Sequence, residues 1–247
     1  MLELQKLKLA SLLYKYMFPL YRKVYFSFKN RKDAHHLRLI ERLIKPGNNI
    51  LDIGANIGFF TKYLSEKTGS SGHVYSFEPD ETNYHHLRNE LEGILNVTLI
   101  KKAVASDSGT LTLYTSTLLN VDHRTYVPEN YSGKISVEKI SIDEFVGGRF
   151  SIDLIKLDIQ GFEMEALKGM KHTLEKNKDV VVFAELWEYG LQKAGSSAKA
   201  VYNFLTELGF NIYEVNAELH PLSIEKVSAI RNDFFSDIHI LATRNKL

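Results

Sequence analysis

Short apolar runs alternate along the chain with longer segments in which apolar residues recur every three or four positions. The short runs predict buried strands, and the helical spacing between them predicts helices. The predicted strands cover residues 50–53, 74–77, 97–100, 152–158, 180–185, 210–215 and 238–242. Strands that alternate with helices form a mostly parallel sheet covered on both faces. The pattern therefore predicts an α/β fold, with the last two strands as an antiparallel hairpin at the edge of the sheet.

Two regions depart from this alternation. Residues 111–114 and 134–141 alternate apolar and polar side chains as exposed strands do, which predicts an antiparallel excursion over about residues 105–142. Residues 1–45 precede the first strand and are rich in basic and aromatic residues. We therefore predict one domain over residues 46–247 that carries the excursion, preceded by a basic amphipathic helical extension over residues 1–45.

The first predicted strand runs into a glycine turn, which is the most informative motif of the chain. Asp52, Gly54 and Gly58 mark this turn, and helical spacing resumes directly after Gly58. A glycine turn at a helix N-terminus lets backbone N–H groups approach an anion. Glu78 ends the next predicted strand, where an acidic side chain accepts hydrogen bonds from a ribose diol. The motif therefore predicts a pocket for a nucleoside that carries an anionic group.

The spacing of the glycines distinguishes two kinds of nucleoside cofactor. A dinucleotide site has the pattern Gly-x-Gly-x-x-Gly, because its pyrophosphate lies against bare backbone. Counted from Gly54, the second and third glycine positions hold Asn56 and Phe59. A pyrophosphate would meet side chains there, so an NAD-dependent oxidoreductase is the weaker alternative. The small carboxylate of S-adenosylmethionine suits this turn better, and a strand–turn–helix with purely structural glycines is the third interpretation.

Composition narrows the class of protein. The 247 residues are 44% hydrophobic, which is enough for a full core in one large domain. No apolar stretch is long enough to span a membrane, and the first residues lack the apolar block of a signal peptide. The chain has no cysteine, which excludes disulfides and thiolate metal ligands. We therefore expect a cytoplasmic protein.

The net charge of +1 conceals an uneven distribution. Residues 1–45 hold eleven Lys and Arg and three Asp and Glu, a net charge of +8, so the remainder of the chain carries −7. An acidic body without a basic and aromatic platform argues against nucleic acid as a partner. The basic extension suits contact with the acidic body, with a membrane surface or with an anionic substrate.

Leu9, Leu12, Leu13 and Tyr16 recur at helical spacing, which predicts an amphipathic helix over residues 2–17. Lysines and many aromatic residues lie near this stripe, and such a helix suits an interface with anionic lipid. The alternative is a helix packed across the sheet, as a lid over the pocket or a homodimer contact. We expect packing, because the aromatic content suits protein contacts, and peripheral membrane contact stays open.

Three segments resemble the FkbM-type family of S-adenosylmethionine-dependent methyltransferases. They are Leu-Asp-Ile-Gly-Ala-Asn-Ile-Gly at 51–58, Phe-Glu-Pro at 77–79 and Ile-Lys-Leu-Asp-Ile-Gln-Gly-Phe-Glu at 155–163. Many methyltransferases share the first segment, whereas the pattern Lys-x-Asp-x-x-Gly-x-Glu is more particular to this family. The resemblance implies a Rossmann-like class I methyltransferase with a seven-stranded sheet whose last strand is antiparallel. It also implies O-methylation of a hydroxyl on a sugar, glycolipid or secondary-metabolite acceptor.

The same resemblance implies where the cofactor binds. The methionine end would contact Asp52, Gly54, Asn56 and Gly58, the ribose would contact Glu78, and the adenine would contact Pro79, Lys102, Ala103 and Val104. Asp158 belongs to the same set, because it lies at the carboxyl end of a core strand, where ligands bind in open α/β sheets. Family members commonly have Glu where this chain has Gln160. That departure leaves open a cofactor-binding interaction module without catalysis.

Three residues are candidates for handling the acceptor proton: Asp158, Glu185 and His123. Asp158 either positions the acceptor and removes its proton or caps the following helix. Glu185 ends an apolar strand, where burying a charge without purpose is costly. His123 stands beside Asp122 and suits a base near neutral pH, or belongs to a solvated loop. Together with Asp122, these three residues could hold Mg²⁺, but nothing in their spacing requires a metal ion, so we assign none.

Two further predictions concern single residues. Glu163 falls in the first turn of the helix after Asp158, where the helix dipole alone accounts for an acid. The other histidines, including His36 and His239, lack neighbours suited to catalysis, and we predict surface or packing roles for them.

Overall fold

The computed structural model describes residues 2–115, 123–127, 131 and 133–245. The helices are α1 (Leu2–Tyr16), α2 (Phe18–Lys32), α3 (Ala34–Leu43), α4 (Phe59–Thr68), α5 (Glu81–Glu90), α6 (Ile142–Val146), α7 (Glu163–Lys168), α8 (Lys171–Lys176), α9 (Glu188–Lys193), α10 (Ala198–Glu207) and α11 (Ile224–Ser228). The strands are β1 (Asn49–Ile53), β2 (His73–Phe77), β3 (Val97–Ile100), β4 (Ala103–Val104), β5 (Gly109–Thr115), β6 (Gly133–Ile140), β7 (Leu154–Leu157), β8 (Val181–Leu186), β9 (Asn211–Val215), β10 (Leu219–Pro221) and β11 (Ile238–Thr243).

The main sheet has the order β10-β9-β11-β8-β7-β1-β2-β3 among the described residues. Strands β3, β2, β1, β7 and β8 pair in parallel, and β11 runs antiparallel to both β8 and β9. The predicted α/β fold, with a mostly parallel sheet and an antiparallel last strand, is confirmed.

The predicted hairpin at the sheet edge is wrong in its position. Strand β11 lies inside the sheet between β8 and β9, and its last four residues are buried, as expected for an interior strand. The edge is the short strand β10, which pairs with β9 and extends the seven predicted strands by one. Its proline and its exposure suit an edge, because proline cannot donate to a further strand.

The two faces of the sheet are covered by different helices. Alternate strand residues such as Leu51, Ile155 and Val182 join the large apolar core that also holds residues of α6, α7, α8 and α10. The residues between them, including Ile50 and Leu154, pack against α3 and α4. This strict alternation decides which side chains of each strand can reach the cavity described below.

A smaller sheet lies beside the main one. Strands β5 and β6 pair antiparallel from Gly109 opposite Lys139 to Thr115 opposite Gly133, and β4 joins β6 in parallel. Arg124 forms an isolated bridge with Tyr114, which attaches residues 123–127 to this sheet. The sheet thereby brings His123 to the cavity.

The N-terminal helices pack on the body through aromatic residues. Tyr14 and Tyr21 are buried with Ile57 of the glycine turn, and the Tyr14 hydroxyl donates to Asn83 Oδ1 at 2.7 Å. Arg22 pairs with Glu90, which also accepts from Lys62. The predicted apolar stripe of α1 is only partly used, since Leu13 packs inward while Leu9, Leu12 and Tyr16 face outward. Within the described residues, no helix is long and apolar enough to cross a membrane.

Candidate active site

A cavity of about 870 Å³ opens at the carboxyl ends of the central strands. This is the edge at which open α/β sheets bind ligands. Its walls come from the turn after β1, the end of β2, the end of β7, the small sheet and helices α1 and α2. The predicted site residues that line it are Gly54, Asn56, Glu78, Pro79, Lys102, Ala103, Val104, His123, Asp158 and Glu185.

The glycine turn is held in a conformation that other residues rarely adopt. Gly54 has a φ of +86°, and a Cβ atom at this position would lie 2.0 Å from the carbonyl oxygen of Asp158. The N–H groups of Gly54 and Ala55 both donate to Phe77 O, and that of Asn56 donates to Glu78. These three amides are therefore engaged inside the fold, contrary to the expectation that the turn would offer them to an anion.

Glu78 is a buried carboxylate fixed by two backbone amides. Its Oε2 accepts from the N–H of Asn56 at 2.8 Å, and its Oε1 accepts from the N–H of Asp80 at 2.9 Å. Burial raises the pKa of Glu78 to about 7, against the opposing effect of these hydrogen bonds. The side chain lines the cavity in a single orientation, which suits a carboxylate that receives two further hydroxyl donors.

Lys156 organises the centre of the site. The strand register sets Asp52 of β1 opposite Lys156 of β7, and the lysine Nζ lies 3.3 Å from Asp52 Oδ1. The same Nζ donates to the carbonyl of Gly54 at 3.0 Å and lies 3.8 Å from Asp158 Oδ2. Thr61 of α4 donates to Asp52 Oδ2 at 2.6 Å. One buried cation therefore joins the glycine turn to the end of β7, and Asp52 supports the turn from below rather than lining the cavity.

Gln160 joins the two carboxyl groups on the acceptor side of the cavity. Its amide nitrogen lies 3.1 Å from Asp158 Oδ1 and 3.2 Å from Glu185 Oε2, and its backbone has a φ of +57°. Burial raises the pKa of Asp158, but Lys156 and Lys29 outweigh it and hold that pKa below its usual value. Burial and the charge of Asp158 raise the pKa of Glu185. An amide here bridges two acids where a glutamate would add a third.

Glu163 supports the loop that carries Asp158 and Gln160. Its Oε1 accepts from the N–H groups of Ile159 at 3.1 Å and Gly161 at 3.2 Å. The side chain is 1% exposed, and burial raises its pKa to about 7. The helix dipole is therefore only part of the reason for an acid at the start of α7.

His123 lies at the other end of the cavity from Asp158 and Glu185. Its Nε2 is 3.5 Å from Oδ2 of Asp80, which follows Pro79 and caps α5 by accepting from the N–H of Asn83. The structure therefore brings His123 to the side of Glu78, whereas Asp158 and Glu185 share the opposite side through Gln160. Asp122, which the sequence grouped with these residues, lies outside the described residues.

Helix α2 contributes residues that the sequence did not assign to the site. Tyr25, Lys29 and Lys32 line the cavity opposite the end of β7. Burial raises the pKa of Tyr25, and the nearby charges of Asp158 and Lys156 shift this pKa in opposite directions. Lys29 pairs with Asp33 and lowers the pKa of Asp158. The sequence signals for these residues were the excess of positive charge and the aromatic content of the extension.

His239 also lies near the site, although the sequence analysis predicted only a surface or packing role for it. The register of β11 on β8 sets it opposite Glu185, and its ring lies 4.0 Å from that of His36. Burial lowers the pKa of His239 to about 4 and that of His36 to about 3. Within the described part of the chain, Glu185, Asp237 and His239 place one ligand atom each within 4.8 Å of one another. The positive charges of Lys29 and Lys32 also lower the pKa of His239. These two lysines therefore already offset the negative charge of Glu185 and Asp237.

The sheet order, the glycine turn after β1 and the acid after β2 define an S-adenosylmethionine-dependent methyltransferase. The family model of the methyltransferase FkbM domain matches residues 52–212. The chain belongs to the FkbM methyltransferase family, and S-adenosylmethionine is its methyl donor.

Known proteins agree with this assignment. The chain is 25% identical over 214 residues to the 2-O-methyltransferase NoeI of Sinorhizobium fredii, covering 80% of this chain and 84% of that protein. It is 26% identical over 156 residues to the hexuronic acid methyltransferase AglP of Haloferax volcanii, covering 62% of each chain. The crystal structure of a methyltransferase FkbM from Methylobacillus flagellatus has a TM-score of 0.51 at 16% identity, covering 83% of this chain and 50% of that one. The last comparison bears on the fold alone.

Proposed function

We propose that this methyltransferase methylates a hydroxyl group of a sugar or glycan acceptor. The observation that carries the proposal is the division of one cavity into two sides, with Glu78 on the first and the Asp158–Gln160–Glu185 group on the second. The names of two relatives, a 2-O-methyltransferase and a hexuronic acid methyltransferase, support a sugar hydroxyl as the acceptor. A catalytically silent module is disfavoured, because Gln160 holds together a pair of acids that line the cavity.

The first side of the cavity fits the cofactor. Glu78 accepts the two ribose hydroxyls, because its oxygens are held by two amides and face the cavity. Pro79 and Ala103 form the wall for the adenine, and Gly54 and Asn56 contact the methionine end. Gly58 and Asp52, which do not line the cavity, shape the turn from behind. His123 joins this side in our proposal through its contact with Asp80.

The second side handles the acceptor proton. S-adenosylmethionine would supply an electrophilic methyl group on a sulfonium, which would leave as a neutral thioether as the methyl carbon–sulfur bond breaks. Asp158 accepts a hydrogen bond from the acceptor hydroxyl and orients its oxygen for in-line attack. As the new C–O bond forms, the hydroxyl proton becomes strongly acidic, so even a carboxylate of low pKa receives it. Lys156 keeps Asp158 ionised for this step, and Gln160 fixes Asp158 beside Glu185 by donating to both carboxyl groups.

A mass-spectrometric assay with S-adenosylmethionine deuterated in its methyl group tests the proposal. The acceptors are glycosides with free hydroxyls, each supplied with a methyl or an octyl aglycone, and an amino sugar reports N-methylation. We expect deuterated methyl on a hydroxyl oxygen. Asp158→Asn should lower turnover about a hundredfold or more while cofactor affinity is kept. The control is Asp179→Asn, an exposed acid at the opposite edge of the sheet, which should leave turnover unchanged. Full turnover in Asp158→Asn, or label on nitrogen alone, would refute the proposed chemistry.

A further inference from the structure

The outer surface of α1 and α2 is unusually apolar. Helix α1 presents Leu9, Leu12 and Tyr16 at helical spacing, and they are 55–69% exposed. Helix α2 presents Leu20, Val24 and Phe28 at intervals of four residues, and they are 43–57% exposed. Met17, between the two helices, is also exposed. We call these seven side chains the outer apolar face. Single exposed apolar residues are common, but a face continued over two helices marks an interaction surface.

The charges beside this face all have one sign. Residues 8–32 contain seven lysines and arginines and no aspartate or glutamate. Arg22 and Lys29 pair with acids of the body or the helix end, at Glu90 and Asp33. Lys8, Lys15, Lys23, Arg31 and Lys32 are exposed to solvent. An apolar face flanked by exposed cations matches the interface of a membrane that contains anionic lipid.

The outer apolar face continues into the active-site cavity. Val24 and Phe28 are more than half exposed and also line the cavity. Ala10 and Leu13 of α1 extend the apolar wall, and Lys29 and Lys32 stand beside it. An apolar chain at the membrane surface would therefore follow Val24 and Phe28 from the outer face into the cavity. The inner surface of the helices cannot move away easily, because Tyr14 and Arg22 fix it to the body.

We propose that the outer apolar face docks on anionic membranes and that the acceptor is an amphiphile presented from the membrane, its sugar hydroxyl at Asp158 and its apolar chain along Val24 and Phe28. The acceptor part of this inference rests on the proposed function. The docking part rests on the helices alone.

Sedimentation of the full chain with vesicles tests the docking. The vesicles contain phosphatidylcholine alone or with about one-third phosphatidylglycerol, a fraction that gives a strongly negative surface. We expect binding to the anionic vesicles only, weakened by added salt. Leu12→Glu with Leu20→Glu, and separately Lys15→Glu with Lys23→Glu, should each lower the partition coefficient about tenfold or more. The matched control is Leu95→Glu, since Leu95 is 93% exposed and lies outside the N-terminal helices.

Wild-type protein that stays in the supernatant with every vesicle, or face variants that bind like the wild type, would overturn the proposal. Light scattering that shows a wild-type dimer dissociated by Leu12→Glu with Leu20→Glu, without vesicle binding, would also overturn it by assigning the face to a second copy. Cofactor affinity measured on each variant shows that its body is folded.

The octyl and methyl glycosides test the acceptor class separately. A higher kcat/KM for the octyl form supports the amphiphile, and equal or lower values would overturn that part. Vesicle binding by a protein that methylates no hydroxyl would support the docking surface and count against the proposed function.

Discussion

Glu163→Gln should remove one pH-dependent contribution to the free energy of unfolding, because Glu163 is a buried acid that ionises near neutrality. Its Oε1 already accepts two backbone N–H groups, which an amide oxygen at the same place would also accept. Its other oxygen, Oε2, is buried without a hydrogen-bond partner in the described residues. Glutamine therefore keeps the shape of the loop and removes the titration.

The magnitude follows from the pKa of about 7, which lies above the ordinary value of 4.5. A carboxyl whose pKa is raised by folding stabilises the folded state at low pH, and this contribution is lost as the pH rises through 7. Between about pH 6 and pH 8, Glu163 of the folded protein carries about half a proton on average, and the unfolded chain carries almost none at this position. Over two pH units, this difference lowers the free energy of unfolding of the wild type by about 1.4 kcal/mol. The stability of Glu163→Gln relative to the wild type should therefore rise by about that amount over this range.

Urea unfolding of the cofactor-free protein at both pH values measures the difference. The slope of the wild type alone is not diagnostic, because His36 and His239 have lowered pKa values and act in the opposite direction. Their effect is common to both proteins and cancels in the comparison. The control is Glu165→Gln in the same helix, since Lys168 lowers the pKa of Glu165 and keeps it ionised throughout. If the difference in free energy of unfolding between Glu163→Gln and the wild type does not change with pH, the raised pKa of Glu163 is refuted.

Two further substitutions test the frame of the site. Lys156→Met leaves Asp52 buried without its cation and should lower the free energy of unfolding by about 3–5 kcal/mol, measured in urea; a loss comparable to that of an exposed lysine variant would contradict the organising role of Lys156. Gly54→Ala forces a Cβ atom to within 2.0 Å of Asp158 O in a left-handed turn, so we expect greatly reduced stability and no cofactor binding by calorimetry; normal binding would show that the turn adapts.

The predictable parts of the molecule are those encoded within one short segment. The strand, the glycine turn and the acid after the second strand lie within residues 49–78, so Gly54, Gly58 and Glu78 were recognisable by spacing alone. Apolar runs and helical spacing also predicted the seven long strands of the main sheet.

The rest depends on contacts between distant segments. His239 meets Glu185 only because β11 inserts beside β8, and no periodicity reports the order of strands in a sheet. Lys29 and Tyr25 reach the cavity because α2 packs across the carboxyl edge, which the aromatic content suggested only as packing. His123 stands next to Asp122 in the sequence, but among the described residues the carboxylate that it contacts is Asp80.

Calorimetric titration of S-adenosylmethionine into the wild type and into Glu78→Ala tests the central assignment most directly. At pH 8 Glu78 is mostly ionised, given its pKa of about 7. Loss of its hydrogen bonds to the ribose should then weaken binding by about 1.5–3 kcal/mol, the range for hydrogen bonds to a charged group. NAD should bind neither protein measurably. Equal affinity of the two proteins for S-adenosylmethionine, or tighter binding of NAD by the wild type, would contradict the account.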